Sequence, residues 1–378
     1  MIIDSYVYRS LMSNNARLTF DPRDHRLQTA LRERINAYFT ERGISRHADG
    51  RMVAKTVVFL GGSAALWALL ASGVTGAWLG LPLAVLLGVM LAGVGFNVCH
   101  DAIHGSYSSR PWVNRLLSHT FDLMGASSYT WARAHNFVHH TYTNVPGMDH
   151  DLEPGPFLLL YPRDNPGFVY RFQHLYALVL YCFTTLVWVF KKDFEQVFSI
   201  DPRTGKREPV GQVVQVIGWK LVHLALFLGV PLWVGAFAWW QVAIGYLAMQ
   251  AALGLTSAVV FQLAHVVERT AFPQPGTVNH SWAEHQLRTT SNFAPRNRLA
   301  SFFFGGLNRQ VEHHLLAKIC HVHYPQLAPI VRAVAFEHGL PYHENPTFLH
   351  ALGSHLRTLQ RFGHPTTVSQ LRLATEQM

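Results

Sequence analysis

Residues 76–104 read GAWLGLPLAVLLGVMLAGVGFNVCHDAIH, an apolar run that ends in His100-Asp101-x-x-His104. A bilayer core of about 30 Å needs roughly 20 apolar residues in a helix. From Thr56 to His100 no residue is charged. That length holds two crossings, placed at 53–73 and 77–98 and broken near Gly73-Val74-Thr75-Gly76. A second uncharged run, Leu221 to Val267, divides at Phe237-Ala238-Trp239-Trp240 and gives crossings at 217–237 and 241–262.

Composition agrees. The chain of 378 residues is 49% hydrophobic and only 14% charged, against about 25% in soluble domains. Its three cysteines are widely separated and form no C-x-x-C, which argues against a disulfide framework and a thiolate zinc site. Residues 1–50 are polar and carry no signal-peptide pattern. The formal charge is +9. Both turns between paired crossings, at 73–77 and 237–241, lack Lys and Arg. The positive-inside rule therefore puts the histidines and both termini on the cytoplasmic side of a multi-pass integral membrane protein. A one-sided positive charge favours anionic headgroups, the phosphates of an acyl carrier and an acidic electron-transfer partner. Nucleic acid is not an expected partner.

Three regions follow. Residues 1–50 form a cytoplasmic arm, irregular to residue 20. Asp21-Pro22 then starts an amphipathic helix carrying Leu27, Leu31, Ile35 and Tyr38/Phe39. That helix lies either in the headgroup region or on the protein's own cap. Residues 51–320 are the membrane core, and 321–378 are cytoplasmic helices and a tail that frays after Pro365. Pro325 to His338 is amphipathic, and Asn345-Pro346 starts a helix bearing Phe348, Leu349, Leu352, Leu356 and Leu359. The short apolar segment 175–190 is read as interfacial or re-entrant, because a fifth crossing would separate the histidine clusters across the membrane.

There are 23 histidines, and they cluster. His100 and His104 are four residues apart, as are His135 and His139, with His140 adjacent; one helix face can present such a pair to one ion. His313 and His314 follow Gln310 by three and four residues. His265 ends the fourth crossing at the same depth. Neutral imidazole suits iron, zinc, copper and nickel, and these ligands exceed what one ion needs, which points to two metals. His119, His174, His223 and His350 stand alone and read as hydrogen-bonded core or interface residues.

The spacings H-D-x-x-H, H-x-x-H-H and Q-x-x-H-H, in this order and divided by two pairs of crossings, resemble the membrane-bound fatty acid desaturases. The glutamine opening the third box resembles the front-end group of delta-6 and delta-5 acyl desaturases. So do Trp282 to Asn292 (W-x-x-x-Q-L-x-x-T-S-N) and Gly306-Leu307-Asn308-x-Gln310.

The resemblance implies an all-α membrane protein of four transmembrane helices, with a cytoplasmic helical cap over a histidine-rich di-metal site. It implies two iron ions held by His100, His104, His135, His139, His140, His265, His313 and His314. Gln310 stands where other desaturases place histidine, as a ligand or the holder of a water. Asp101 and Glu312 would orient imidazoles. Asn144, Asp149 and Asp151 would do the same, touch the substrate head group, or simply cap their loop.

The implied reaction uses dioxygen and two electrons to introduce a cis double bond into an acyl chain carried by coenzyme A, acyl carrier protein or a lipid. Trp131, Tyr129 and Phe303 are candidates for the acyl tunnel lining. Two features depart from the family. No H-P-G-G haem motif occurs, so electrons would come from a separate ferredoxin or cytochrome b5. Leu315-Leu316-Ala317 also replaces the usual L-F-P.

Three other readings compete. The same centre would serve a lipid hydroxylase, epoxidase or acetylenase. An intramembrane zinc protease needs H-E-x-x-H, where this chain has Asp101. A metal transporter needs ionisable residues inside its crossings, and residues 56–94 have none.

Overall fold

The computed structural model describes residues 20–21, 25–200, 205–274, 278 and 280–365. Residues 1–19 of the expected N-terminal arm, the helix start at Pro22 and the tail after Pro365 lie outside them.

The first helix, α1 (Arg26–Arg42), buries Leu27, Leu31, Ile35 and Phe39. Those side chains pack on Leu287, Val311 and Val331 at one end and on Ile319, Tyr324 and Leu327 at the other. The apolar stripe is thus covered by protein, which decides between its two sequence readings. Leu31→Ala is expected to cost about 2–5 kcal/mol, read as a fall in the thermal midpoint of the detergent-purified protein.

Among the described residues, four helices are long and apolar enough to cross a membrane: α2 (Gly50–Ala71), α3 (Gly76–His104), and, beyond the central loop, Val210–Val234 and Trp239–His265. All four expected crossings are present, each starting one to seven residues earlier than the hydropathy break suggested. Asp49 caps α2 by accepting from the Arg51 and Met52 amides. Gly105, at φ 72°, closes α3 in the left-handed conformation that glycine adopts at least cost.

Between the pairs lie α4 (Pro111–Leu123) and α5, which runs through Ser128–Ala132, Arg133–His139 and His140–Tyr142. Next come α6 (Phe168–Tyr181) and α7 (Thr184–Phe198), bent by 72° at their junction. The second long pair is α8 (Val210–Val234) and α9 (Trp239–His265). The short helices α10 (Trp282–Thr289), α11 (Arg298–Phe303) and α12 (Gln310–Leu316) follow, then α13 (Tyr324–Glu337) and α14 (Phe348–Phe362). Thr347 caps α14. That helix turns Ala351, Leu359 and Phe362 inward, packs Phe348 and Leu352 beside them, and leaves Leu349 exposed. The parallel strands β1 (Asn292–Phe293) and β2 (Glu344–Asn345) tie its start to the centre of the molecule.

Helices α3 and α9 lie side by side and parallel. Ala84 meets Gly245, Gly88 abuts Met249, and Phe96 faces Phe261. Contact is so close at Gly88 that a Cβ there would lie 2.2 Å from the Met249 carbonyl oxygen. Both helices therefore deliver their C-terminal histidines, His100, His104 and His265, to one end of the bundle.

The α6–α7 segment fits this geometry. Its bend rests on Gly254, whose added Cβ would fall 2.9 Å from Tyr181 O, and Thr185 bonds the Gln250 carbonyl. Gly254 precedes His265 by eleven residues, or roughly 16–17 Å of helix. The arms both return to the histidine end. Gln173 donates to Leu359 O, and Lys192 approaches Asp151. Inside the fold, Asp193 joins Lys220 and Thr130. Both arms of the bent pair thus contact residues near the histidine end.

Candidate metal centre

Helix geometry aims the imidazoles. A π turn, Gly95–Cys99, immediately precedes His100, and another, Arg133–His139, carries the second cluster. Such turns insert one residue into an α-helix and are frequent at functional sites. Each residue of an α-helix advances about 100°, so each insertion re-aims the side chains beyond it.

The candidate histidines converge in the interior. Nitrogen atoms of His100, His104, His135 and His313 lie within 4.8 Å of one another, and so do those of His139, His265 and His314. His140 joins the two sets, sharing a third group with His313 and His314. Its ring stacks on that of His314 at 4.3 Å, and its Nε2 lies 3.2 Å from Nε2 of His135. Gln310 Nε2 is 2.9 Å from His265 Nε2, beside the second set.

Several of these ring nitrogens have no hydrogen-bond partner: both of His100, Nε2 of His104, His313 and His314, and Nδ1 of His265. Buried polar atoms are rarely left unpaired, because each costs its desolvation. Burial, then neighbouring imidazoles, pushes His135, His140, His313 and His314 well below the ordinary imidazole range. Neutral rings with free nitrogens pointing into shared spaces are donors that suit a transition-metal ion.

His139 differs. Burial alone would lower its imidazole, but the charge and hydrogen bonding of Asp149, with Asp151, raise it. Its Nδ1 lies 3.0 Å from Asp149 Oδ2, leaving Nε2 for a ligand's role, the arrangement common around metal-bound histidine. Asp151 is more exposed, 3.7 Å from the same nitrogen. Asp149→Asn is expected to weaken metal affinity about 10–100-fold, measured by metal content after chelator titration.

The other polar candidates divide. Asn144 is buried at φ 58° and donates to the carbonyls of His265, Ala271 and Thr289, fixing the end of α9. Asp101 lies beside His100, with Oδ1 3.7 Å from Nδ1. Glu312 does not orient an imidazole through a hydrogen bond. It lies among Asn292 and Tyr342, and burial pushes its carboxyl up to about 7. Helical alternation explains this, since α12 can turn His313 and His314 inward only by aiming Glu312 elsewhere.

Sequence reasoning missed Gln286, whose Oε1 accepts from Thr143 and lies 2.8 Å from His314 Nδ1. Its place in W-x-x-x-Q-L was the one available signal. Trp131 stacks on His135 at 4.1 Å and lines a small cavity with Phe96, Phe121, Phe261 and His100. Tyr129 instead donates to Glu208, and Phe303 packs on Phe59 and Phe96, so neither lines that cavity. His119, His223 and His350 have ordinary partners in Asp122, Leu123 O and Asn345.

Fold and centre together define a helical membrane protein whose apolar helices hold a buried polyhistidine cluster at one end. The chain belongs to the fatty acid desaturase family, whose profile matches residues 76–346. It is 37% identical over 340 residues to the sn-1 linoleoyl-lipid 6-desaturase of Synechocystis sp., covering 88% of this chain and 94% of that protein. The protein of the same name from Arthrospira platensis is 33% identical, covering 88% and 91%. The acyl-lipid (8-3)-desaturase of Physcomitrium patens is 34% identical, covering 88% and 71%.

Proposed function

We propose that the protein is a di-iron acyl-lipid desaturase. The observation that carries this reading is the meeting of eight buried imidazoles between α3, α5, α9 and α12, five of them with a buried ring nitrogen that has no hydrogen-bond partner. His100, His104, His135 and His313 would hold one ion, His139, His265 and His314 the other, with His140 between them and Gln310 beside His265. When bound, the iron pair supplies oxygen activation, coupling two electrons and dioxygen to removal of two hydrogens from adjacent methylenes.

The chain's own residues set the conditions for that chemistry. Asp149 holds the His139 ring, and Gln286 holds that of His314. The Phe96, Phe121 and Phe261 rings beside His100 line a small apolar cavity and exclude water from that side of the centre. Names of the relatives support a lipid-borne acyl group as substrate. The histidine end faces the cytoplasm, since the turns at the other end lack Lys and Arg. There it receives electrons from a separate ferredoxin or cytochrome b5.

The test is expression in a host of defined lipid composition, followed by mass analysis of its acyl chains. Loss of two hydrogens at one position is expected, with iron in the purified protein. Gain of an oxygen atom would indicate hydroxylation, and stoichiometric zinc with hydrolysis would sink the reading.

A further inference from the structure

Behind His100 lies a second buried polar group drawn from three distant parts of the chain. Asp101 Oδ2 accepts from the His321 backbone N–H at 3.1 Å and from its Nδ1 at 3.0 Å. His321 Nε2 lies 2.7 Å from Lys55 Nζ. All three side chains are buried. We propose that Lys55 and His321 are positioning residues, forming a column Lys55–His321–Asp101 that fixes the Asp101 carboxylate against His100.

The chemistry of the ring gives the column its direction. Nδ1 must carry the proton to donate to a carboxylate, so Nε2 is the acceptor for the Lys55 ammonium. Burial, as the foremost cause, pushes the His321 imidazole down to about 4, consistent with this neutral form. The ring has little room to turn. Gly306 sits against it, where an added Cβ would lie 2.7 Å from His321 Cβ, and the neighbouring Cys320 amide is tied to Arg46 O at 2.9 Å.

Asp101, Cys320 and His321 could be read instead as a third cation site, since one ligand atom from each lies within 4.8 Å of the others. Lys55 argues against that. Its ammonium occupies the open side of the imidazole and would repel a cation, while the opposite nitrogen is committed to Asp101. Read as a column, the same atoms have partners, and the free Asp101 oxygen faces the His100 ring. Outer partners of this kind orient ligand imidazoles and raise their basicity. No sequence motif joins the three residues, because Lys55 and His321 stand 266 positions apart.

The inference rests on the di-iron reading, and the experiment separates the two. Full-length protein carrying His321→Ala, His321→Asn or Lys55→Met is loaded with ferrous iron. Release to a chelator, the Mössbauer spectrum and the thermal midpoint are then recorded.

His321→Ala should release one of two irons about 10–100-fold faster and alter one ferrous doublet only. His321→Asn keeps an N–H donor near the Nδ1 position and should restore slow release. Lys55→Met, which leaves the Asp101–His321 bond in place, should fall between. Wild-type release in His321→Ala would overturn the column, as would equal loss of both irons with a lowered midpoint. Wild-type protein that binds no iron at all would instead bring down the di-iron reading.

Discussion

His139→Ala is expected to yield a folded protein that has lost its iron and its desaturase activity. The ring closes the set with His265 and His314, and it is the candidate ligand gripped by the buried Asp149. Alanine removes the ligand and strands the carboxylate, which then has the Asn144 amide and the Asp151 amide as its remaining partners. The activity loss should exceed the ~10–100-fold typical of an outer partner such as Asp149. Iron per chain and the fraction of acyl chains desaturated in the host measure it together. Full activity with two irons bound would remove His139 from the centre.

The second large effect lies far from the histidines. Gly88→Leu should abolish the bundle's packing, because the Cβ would meet the Met249 carbonyl oxygen at 2.2 Å and Ala252 Cβ at 3.0 Å. A side-chain tip could move aside, but the backbone of a long helix cannot. Overpacking ordinarily costs about 1–3 kcal/mol, and this case falls on backbone across the parallel pair that carries His100, His104 and His265. The expected result is little folded protein, and a lowered thermal midpoint with weakened iron binding in what survives. A variant with the wild-type midpoint would show that α3 and α9 are not so closely apposed.

Much of this was legible in the chain itself. Uncharged runs bounded by glycines and aromatics marked the four long helices, since hydrocarbon permits few other patterns. Ligand spacing marked His100 to His140 and His313 to His314, because helix periodicity converts sequence distance into direction. His265 followed from depth alone. The need to bring every cluster to one face singled out segment 175–190, where α6 and α7 meet at a 72° bend.

What stayed hidden depended on tertiary contact. Gln286, Lys55 and His321 meet partners far away in sequence, and apart from the W-x-x-x-Q-L pattern around Gln286 nothing in their immediate surroundings distinguishes them from other polar residues. Glu312 was misjudged for the complementary reason, since adjacency to ligands says nothing about which way a helix turns a side chain. The destination of α1 was likewise undecidable, because one apolar stripe suits either a lipid surface or a protein cap.

The π turns at Gly95–Cys99 and Arg133–His139 give the chain an unusual arithmetic. A single residue gained or lost within Gly95–Cys99 would rotate His100 and His104 by about 100° while leaving every apolar side chain chemically acceptable to the bilayer. Substitution in that stretch is a question of volume, but insertion or deletion is a question of phase. Along α3 a substitution is tolerated where its volume fits, whereas a changed residue count between Gly88 and His104 would mis-aim both histidines.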